Sequence, residues 1–138
     1  MTQLIQPTSR HQPSGYTHGI LLEPDSRLLF ISGQLASNSS GAIEHKGLVE
    51  QFLLCIDNVM HVVNDVDPNA STKNIIKMTI FITDFDCYRK YKALIAVGWN
   101  ARFGDYYPTI SIVEVGQLID KDAKVEIEAI ATIGDQNK

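Results

Sequence analysis

The sequence predicts a single α+β domain with the order β-β-α-β-α-β-β, formed by residues 1–138. One observation is a long run of apolar residues at helical spacing in the middle of the chain. Another is a set of short alternating runs, typical of strands, on both sides of it. The third is that no linker, repeat or low-complexity tract divides a chain of single-domain length. Two strand–helix–strand units imply right-handed crossovers, and so one mixed sheet with both helices packed on one face.

The first half of the chain predicts a hairpin followed by a helix. We expect residues 1–15 to be irregular and residues 16–23 and 28–33 to form paired strands. The turn between these strands is the segment Pro24-Asp25-Ser26, whose residue types favour turns. Residues 48–63 place apolar side chains three or four positions apart, which indicates an amphipathic helix covering a sheet.

The second helix follows a strand over residues 76–82, where buried and mixed positions alternate. Asp84 or Asp86 is expected to cap this helix, because a carboxylate stabilises the first turn. Gly104 ends it. Its apolar face is predicted to consist of Tyr88, Tyr91, Leu94, Ile95 and Trp99.

The closing strands are predicted over residues 110–115 and 124–133. With both helices on one face of the sheet, the other face needs a cover. Phe81 and Ile130 occupy positions that point away from the helices in this scheme. Assembly into a trimer through that face would explain apolar residues there.

The charge of the chain disfavours nucleic acid as a partner. The formal net charge is −4, whereas nucleic-acid binding normally depends on a basic surface. The only local basic excess is Arg89-Lys90 with Lys92, and an exposed charged helix face is the plainer interpretation.

The chain lacks the motifs of cofactor and metal sites. It contains no phosphate-binding P-loop, no dinucleotide-binding glycine motif and no zinc-type Cys/His spacing. We expect Cys55 and Cys87 to be free thiols. The N-terminal residues lack the apolar core of a signal peptide, and the longest apolar run, residues 93–99, is too short to span a bilayer. These features predict a cytoplasmic protein without a metal or cofactor.

Several segments, in this order along the chain, resemble the RidA/YjgF/L-PSP family from about residue 16 to residue 133. They are Ile31-Ser32-Gly33-Gln34, Asp57-Asn58-Val59, the strand from Met78 to Asp84, Pro108-Thr109-Ile110-Ser111, and the run from Val125 to Ala131. The resemblance implies a chorismate-mutase-like homotrimer with small-molecule clefts between the subunits.

The resemblance also implies a reaction, the hydrolysis of reactive imines and enamines, and roles for individual residues. Glu126 would position or activate the attacking water. Tyr16 would close the cleft and hydrogen-bond the ligand. Ser32 and Gly33 would border the pocket. Each has a simpler interpretation as well: Glu126 as a residue on the wet face of a strand, Tyr16 as an ordinary strand-start aromatic, and Ser32-Gly33 as a bulge or a close-packing position.

The chain departs from the family pattern at the position of the carboxylate-binding arginine, where it has Ile110. Ile112 stands where relatives often have a smaller residue, and so should narrow the site. Lys92 corresponds to a boundary position between subunits, although a solvated helix lysine is the simpler interpretation. Arg102 or Lys92 could supply a replacement cation.

Three functions are compatible with these residues. The first is a deaminase-like hydrolase whose substrate is not a typical 2-imino acid, because Ile110 removes the usual anion-binding group. The second is a non-catalytic small-molecule binder or regulator of the same fold. The third is RNA cleavage, which the acidic composition disfavours.

Overall fold

The computed structural model of the protein describes residues 3–134. Over this range the chain forms a two-stranded sheet and a four-stranded mixed sheet covered by two helices. The strands of the small sheet are β1 and β2, and the order in the large sheet is β3-β6-β4-β5. The elements are β1 Gln3–Ile5, β2 Gly19–Leu21, β3 Arg27–Gln34, α1 Leu48–Val66, a 3-10 turn Thr72–Asn74, β4 Ile75–Ile82, α2 Phe85–Phe103, β5 Thr109–Glu114 and β6 Val125–Ile133.

The predicted α+β class is confirmed, with both helices packed on the mixed sheet. Strand β6 lies between β3 and β4 and runs antiparallel to both. Strands β4 and β5 are adjacent and parallel, so α2 forms the crossover between them. Strand β5 is therefore at the edge of the sheet, next to α2.

The predicted N-terminal hairpin is wrong. Strand β2 pairs with β1, so the first fifteen residues are not wholly irregular. Strand β3 pairs instead with β6, placing Arg27 opposite Ile133 and Ile31 opposite Ala129. The physical reason is burial: β6 offers β3 a long partner with alternate side chains in the core, whereas β2 has only three residues, none of them fully buried.

Helix α1 supplies the middle of the core. It begins after Gly47 and ends at Val66, three residues beyond the predicted end. Its fully buried face packs on the core residues of β6 and β3. These helix residues are Phe52, Cys55, Ile56, Val59 and Val63.

Helix α2 covers the sheet less completely than predicted. Asp84 caps it, its carboxylate accepting a hydrogen bond from the backbone N–H of Cys87 at 3.1 Å. Gly104 ends it with a φ of 60°, where a residue with a side chain would be strained. The prediction is wrong for Tyr91 and Leu94: both are exposed, Leu94 by 57%. Only one side of the helix faces the sheet and α1.

Two contacts fix α2 against α1. Arg102 donates two hydrogen bonds to the carboxylate of Asp57, at 2.8 and 3.0 Å, and a third to the carbonyl of Gly98. Gly98 has no side chain, and Leu53 occupies the space where a Cβ would lie. The missing side chain at Gly98 therefore allows α2 to pack closely against α1.

The face of the large sheet opposite the helices, called here the open face, carries large apolar residues. Phe30 is 71% exposed, and Leu28 and Val113 are also exposed. Phe81 and Ile130 are half-buried on the same face. Within residues 3–134, neither helix combines the length and apolarity needed to cross a membrane.

Candidate functional site

A cavity of about 470 Å³ lies between α2, β5 and the segment that precedes β2. This size is within the range of small-molecule sites. The cavity, called here the aromatic cavity, brings together four residues that the sequence analysis singled out: Tyr16, Lys92, Ile110 and Ile112. The rest of its wall is mainly apolar or aromatic, including Phe52, Ile80, Tyr88, Ile95, Trp99 and Tyr107.

Trp99 is the centre of a stack of aromatic rings in this wall. Its ring lies parallel to that of Phe103 at 3.8 Å and to that of Tyr107 at 5.6 Å. The residue is only 6% exposed, and its indole N–H has no hydrogen-bond acceptor among the described residues. A buried donor left unpaired costs about 1–3 kcal/mol. The prediction that Trp99 belongs to the apolar face of α2 is confirmed, whereas no sequence pattern indicates this unpaired donor.

The N-terminal segment places Tyr16 at the cavity. Thr17 is buried, its N–H donates to the carbonyl of Pro108 at 3.1 Å, and its hydroxyl donates to the carbonyl of Tyr107. His11 is hydrogen-bonded to the Tyr16 hydroxyl at 2.8 Å. Sequence reasoning missed Thr17 and His11, because their partners follow from the folded path of the chain and not from a local pattern.

The charge balance of the cavity is simple. Lys92 is the only charged residue in its wall, and it makes no ion pair with any described residue. Arg102, considered from the sequence as a replacement cation, does not line the cavity, because Asp57 holds its guanidinium at the α1–α2 contact. That hydrogen bond raises the pKa of Arg102. Burial likewise raises the pKa of Tyr88, so its phenol stays protonated at neutral pH.

The other three predicted site residues lie on the open face of the sheet. The pairing of β3 with β6 shifts register between Ile31 and Gln34, so Ser32 and Gly33 form an irregularity in the strand. The Glu126 carboxylate fills the space that a Cβ on Gly33 would need. Among residues 3–134, the carboxylate of Glu126 accepts no hydrogen bond from a side chain or from a loop backbone N–H. Both interpretations that the sequence offered for Ser32-Gly33, a bulge and a close-packing position, are therefore present in the structure.

The seven residues therefore form two groups on opposite sides of the sheet. Ile110 and Ile112 pair with the core residues Met78 and Ile80, so they face the helices. Glu126 pairs with Phe81 and alternates with buried neighbours, so it faces the opposite way. Within a single chain, the Glu126 carboxylate therefore does not line the aromatic cavity.

The described part of the chain offers no alternative nucleophile or metal site of an obvious kind. Cys55 and Cys87 are free thiols, as predicted. Burial, with a smaller contribution from the Glu126 carboxylate, raises the pKa of the Cys55 thiol to about 12. This thiol is therefore not a thiolate at neutral pH. Residues 3–134 contain no cluster of three or more potential metal ligands.

Comparison with known proteins gives consistent matches over most of the chain. A family model described as endoribonuclease L-PSP matches residues 9–133. The TdcF protein of Escherichia coli strain K12, provisionally named a reactive intermediate deaminase, is 35% identical over 119 residues, covering 84% of each chain. The 2-iminobutanoate/2-iminopropanoate deaminase of the same strain is 29% identical over 119 residues, covering 84% of this chain and 85% of the relative.

Solved structures agree with these matches. The crystal structure of Escherichia coli TdcF with bound serine superposes with a TM-score of 0.64 at 35% identity, covering 89% of this chain and 91% of that chain. The Rid-family protein YyfB from Yersinia pestis, of unknown function, has a TM-score of 0.79 at 22% identity and covers 96% and 98% of the two chains. The second likeness concerns the fold alone.

Proposed function

This chain belongs to the endoribonuclease L-PSP family, the RidA/YjgF proteins, and from that premise we propose that it hydrolyses a reactive imine or enamine other than a typical 2-imino acid. The names of its relatives as deaminases support the reaction class. The apolar wall of the aromatic cavity, with Ile110 in it, supports the altered substrate range. That wall is the observation that carries the proposal.

The proposed reaction needs only a water, a base and a proton donor. Water attacks the carbon of the protonated imine while the Glu126 carboxylate accepts a proton from it, giving a neutral carbinolamine. Glu126 then returns this proton to the nitrogen, the carbon–nitrogen bond breaks, and the hydroxyl proton passes to the departing ammonia, so that a carbonyl compound and ammonium leave. The Tyr16 hydroxyl would hydrogen-bond the ligand, and its contact with His11 at 2.8 Å supports this role by orienting the phenol.

Lys92, Ile110 and Ile112 are the remaining substrate-binding residues in this proposal. They line the aromatic cavity together with Tyr16. Ser32 and Gly33 border the site from the open face, where the absence of a Cβ on Gly33 gives the Glu126 carboxylate its place.

Assembly into a homotrimer is part of the proposal, because the two groups of site residues face opposite sides of one sheet. Exposed apolar residues on the open face, with Phe30 exposed by 71%, support its burial against a second copy. Each cleft would then combine the aromatic cavity of one subunit with Glu126 of another.

We expect sedimentation equilibrium to give three times the chain mass of 15.4 kDa. Mixed assemblies of Glu126→Gln subunits and subunits with a blocked cavity, Ala96→Leu, should regain part of the activity that each variant lacks alone. Regain occurs because some clefts then combine an intact cavity with an intact carboxylate. A monomeric mass, or no regain in mixtures shown to exchange subunits, contradicts the shared cleft.

An oxidase-coupled assay tests the reaction. An amine oxidase generates neutral imines and an amino-acid oxidase generates 2-imino acids, each in the presence of semicarbazide as a trap. We expect the protein to divert neutral imines from the trap to carbonyl product and ammonia, and to leave small 2-imino acids nearly unaffected. If the protein diverts neither neutral imines nor 2-imino acids from the trap, the proposed reaction is excluded.

A non-catalytic binder of the same fold is the second candidate. It is favoured by the position of Glu126, which faces away from the aromatic cavity within one chain. A thermal-shift screen that finds stabilising ligands, none of them consumed over long incubation, would select this alternative.

RNA cleavage, which the description of the family model suggests, is not proposed for this chain. A net charge of −4 gives no general attraction to phosphates. The basic side chains of Arg89 and Lys90 lie on exposed helix surface, and Arg89 is paired with Asp86 at 3.4 Å.

A further inference from the structure

We propose that the aromatic cavity holds the side group of the substrate, that this side group is apolar and about the size of a phenyl ring, and that Ala96 leaves the room for it. The substrate is then an imine with a large hydrophobic substituent on its carbon, and Ala96 is a specificity-determining residue. That the ligand is an imine rests on the proposed function, whereas the preference for an apolar group rests on the cavity alone.

The part of the wall that a ligand can touch is aliphatic or aromatic. Tyr88, Tyr107, Ile110 and Ile112 line the cavity and are half-buried, so each still has surface that the chain does not cover. Behind them, fully buried side chains such as Phe52 give the cavity its shape but offer a ligand little surface. Covering the half-buried side chains with an apolar group removes both surfaces from water, which stabilises the complex.

Contacts with the rest of the fold hold these wall residues in place. The ring of Tyr107 stacks on that of Trp99 at 5.6 Å, and the ring of Tyr88 stacks on that of Phe52 at 6.2 Å. The two isoleucines belong to β5, whose parallel pairing with β4 fixes them. A wall that is fixed before the ligand binds distinguishes side groups by size, because forcing a larger group into it is costly.

The volume of the cavity suits a ring-sized group together with the reacting atoms. An engineered protein cavity of about 150 Å³ lined by apolar side chains binds benzene. The aromatic cavity, at about 470 Å³, leaves room beside such a group for the imine carbon, its nitrogen and the attacking water. A side group as small as methyl would leave most of this space unfilled.

Ala96 has the smallest side chain on the α2 side of the cavity. Tyr88, Lys92 and Ala96 follow one another at intervals of four residues, so they form one row along the helix. The first two carry long side chains, whereas Ala96 has a single methyl group. Ala96 is also exposed, so the space beside this methyl group is not filled by the described residues. A ligand group can occupy this space, and a larger residue would exclude it.

Charge contributes little to the selection of the ligand. Lys92 is the only charged residue in the wall, and its exposed side chain can keep the ammonium in water. An ion pair at such a site changes affinity by no more than about five-fold. Burying methylene groups has a larger effect, at about four-fold for each group that is completely removed from water. The apolar contacts therefore decide which ligand binds.

A series of primary carboxamides tests this preference by calorimetry on the intact protein. The carbon of an amide bears one oxygen and one nitrogen, as that of the carbinolamine does, but the amide is stable in water. From propanamide through butanamide to pentanamide, we expect affinity to rise about two- to four-fold per methylene group. Phenylacetamide should bind at least as tightly as pentanamide. A flat series, or phenylacetamide binding more weakly than propanamide, overturns the proposal.

The matching carboxylate separates apolar recognition from charge recognition. Pentanoate has the size and shape of pentanamide but carries a negative charge at neutral pH. We expect pentanoate to bind no more than about five-fold more tightly than pentanamide, which is the limit for an exposed ion pair with Lys92. A larger preference for pentanoate would show that charge selects the ligand, and would overturn the proposal.

A matched pair of variants tests the role of Ala96. Ala96 and Ala101 are both exposed residues of α2, but only Ala96 lines the cavity. Ala96→Val should lower the preference for phenylacetamide over propanamide by about five-fold or more, because the added methyl groups overfill a fixed wall. Ala101→Val should leave this preference unchanged. Equal preferences in the two variants would overturn the role of Ala96.

Binding and turnover separate this inference from the proposed function. If affinity rises along the amide series but no imine is hydrolysed, the proposed reaction fails and the ligand class stands. If kcat/KM is as high for imines with a methyl group as for those with a large apolar group, the reaction stands and the ligand class fails.

Discussion

Glu126→Gln is expected to reduce imine hydrolysis by about 10²- to 10⁴-fold, the usual contribution of a positioned general base. The amide keeps the size of the carboxylate and fits beside Gly33, where no Cβ obstructs it. It cannot accept a proton from the attacking water. The loss should appear in kcat, with the fold and the mass of the assembly unchanged, because Glu126 is only half-buried and lies outside the hydrophobic core. The oxidase-coupled assay measures kcat, and circular dichroism and sedimentation equilibrium check the fold and the mass.

Glu128→Gln is the matched control for this prediction. Glu128 follows Glu126 on the same face of β6 and is exposed. The same change of charge at this position should leave turnover within about two-fold of the unmodified protein, since surface substitutions of this kind have small effects. Equal losses in both variants would indicate a general electrostatic effect, and full activity in Glu126→Gln would show that another group activates the water.

Ile110→Arg is expected to introduce hydrolysis of small 2-imino acids. A guanidinium at this position can donate two charge-assisted hydrogen bonds to a substrate carboxylate. At about 1.5–3 kcal/mol each, these represent roughly 3–6 kcal/mol of binding free energy. The corresponding gain in kcat/KM for 2-imino acids is about a hundred- to ten-thousand-fold.

The same substitution should lower the hydrolysis of neutral imines, because it places a second charge, besides Lys92, in a mainly apolar wall. Comparing kcat/KM for the two imine classes, before and after the change, measures this exchange of specificity. Circular dichroism confirms that the variant is folded.

Ile110→Met is the neutral control, since it replaces a half-buried apolar residue by another of similar volume. It should leave kcat/KM for both imine classes equal to that of the unmodified protein. High 2-imino-acid activity already present with Ile110 would contradict the interpretation that the missing arginine sets the substrate class.

Local sequence rules predicted the helices well and one strand pairing poorly. The cap at Asp84 and the end at Gly104 follow from the residues themselves, because a short carboxylate and a glycine satisfy helix ends locally. Residues 16–23 and 28–33 were predicted as a hairpin because they are adjacent in the chain. Only the burial available along β6 explains why β3 pairs there instead.

The sequence predicted which residues line the candidate site, but it did not predict which of them lie together. Alternation along a strand correctly places Ile110 with Ile112 and separates Glu126 from its buried neighbours. The sequence contains no signal for the hydrogen bond between His11 and Tyr16, for the unpaired N–H of Trp99, or for the pairing of Arg102 with Asp57. These features depend on where separate elements meet.

By itself, the sequence determined the α+β class, the family and the presence of Ile110 where the resemblance implies an arginine, because each of these follows from residue order and identity. The tertiary structure alone decided that Lys92, and not Arg102, is at the cavity, and that Glu126 faces the opposite side of the sheet. The physical reason is that a side chain's partners are set by the packing of distant elements. Here, a guanidinium 45 residues from its carboxylate partner is held away from the cavity, and one strand directs its carboxylate toward a face that a second copy would cover.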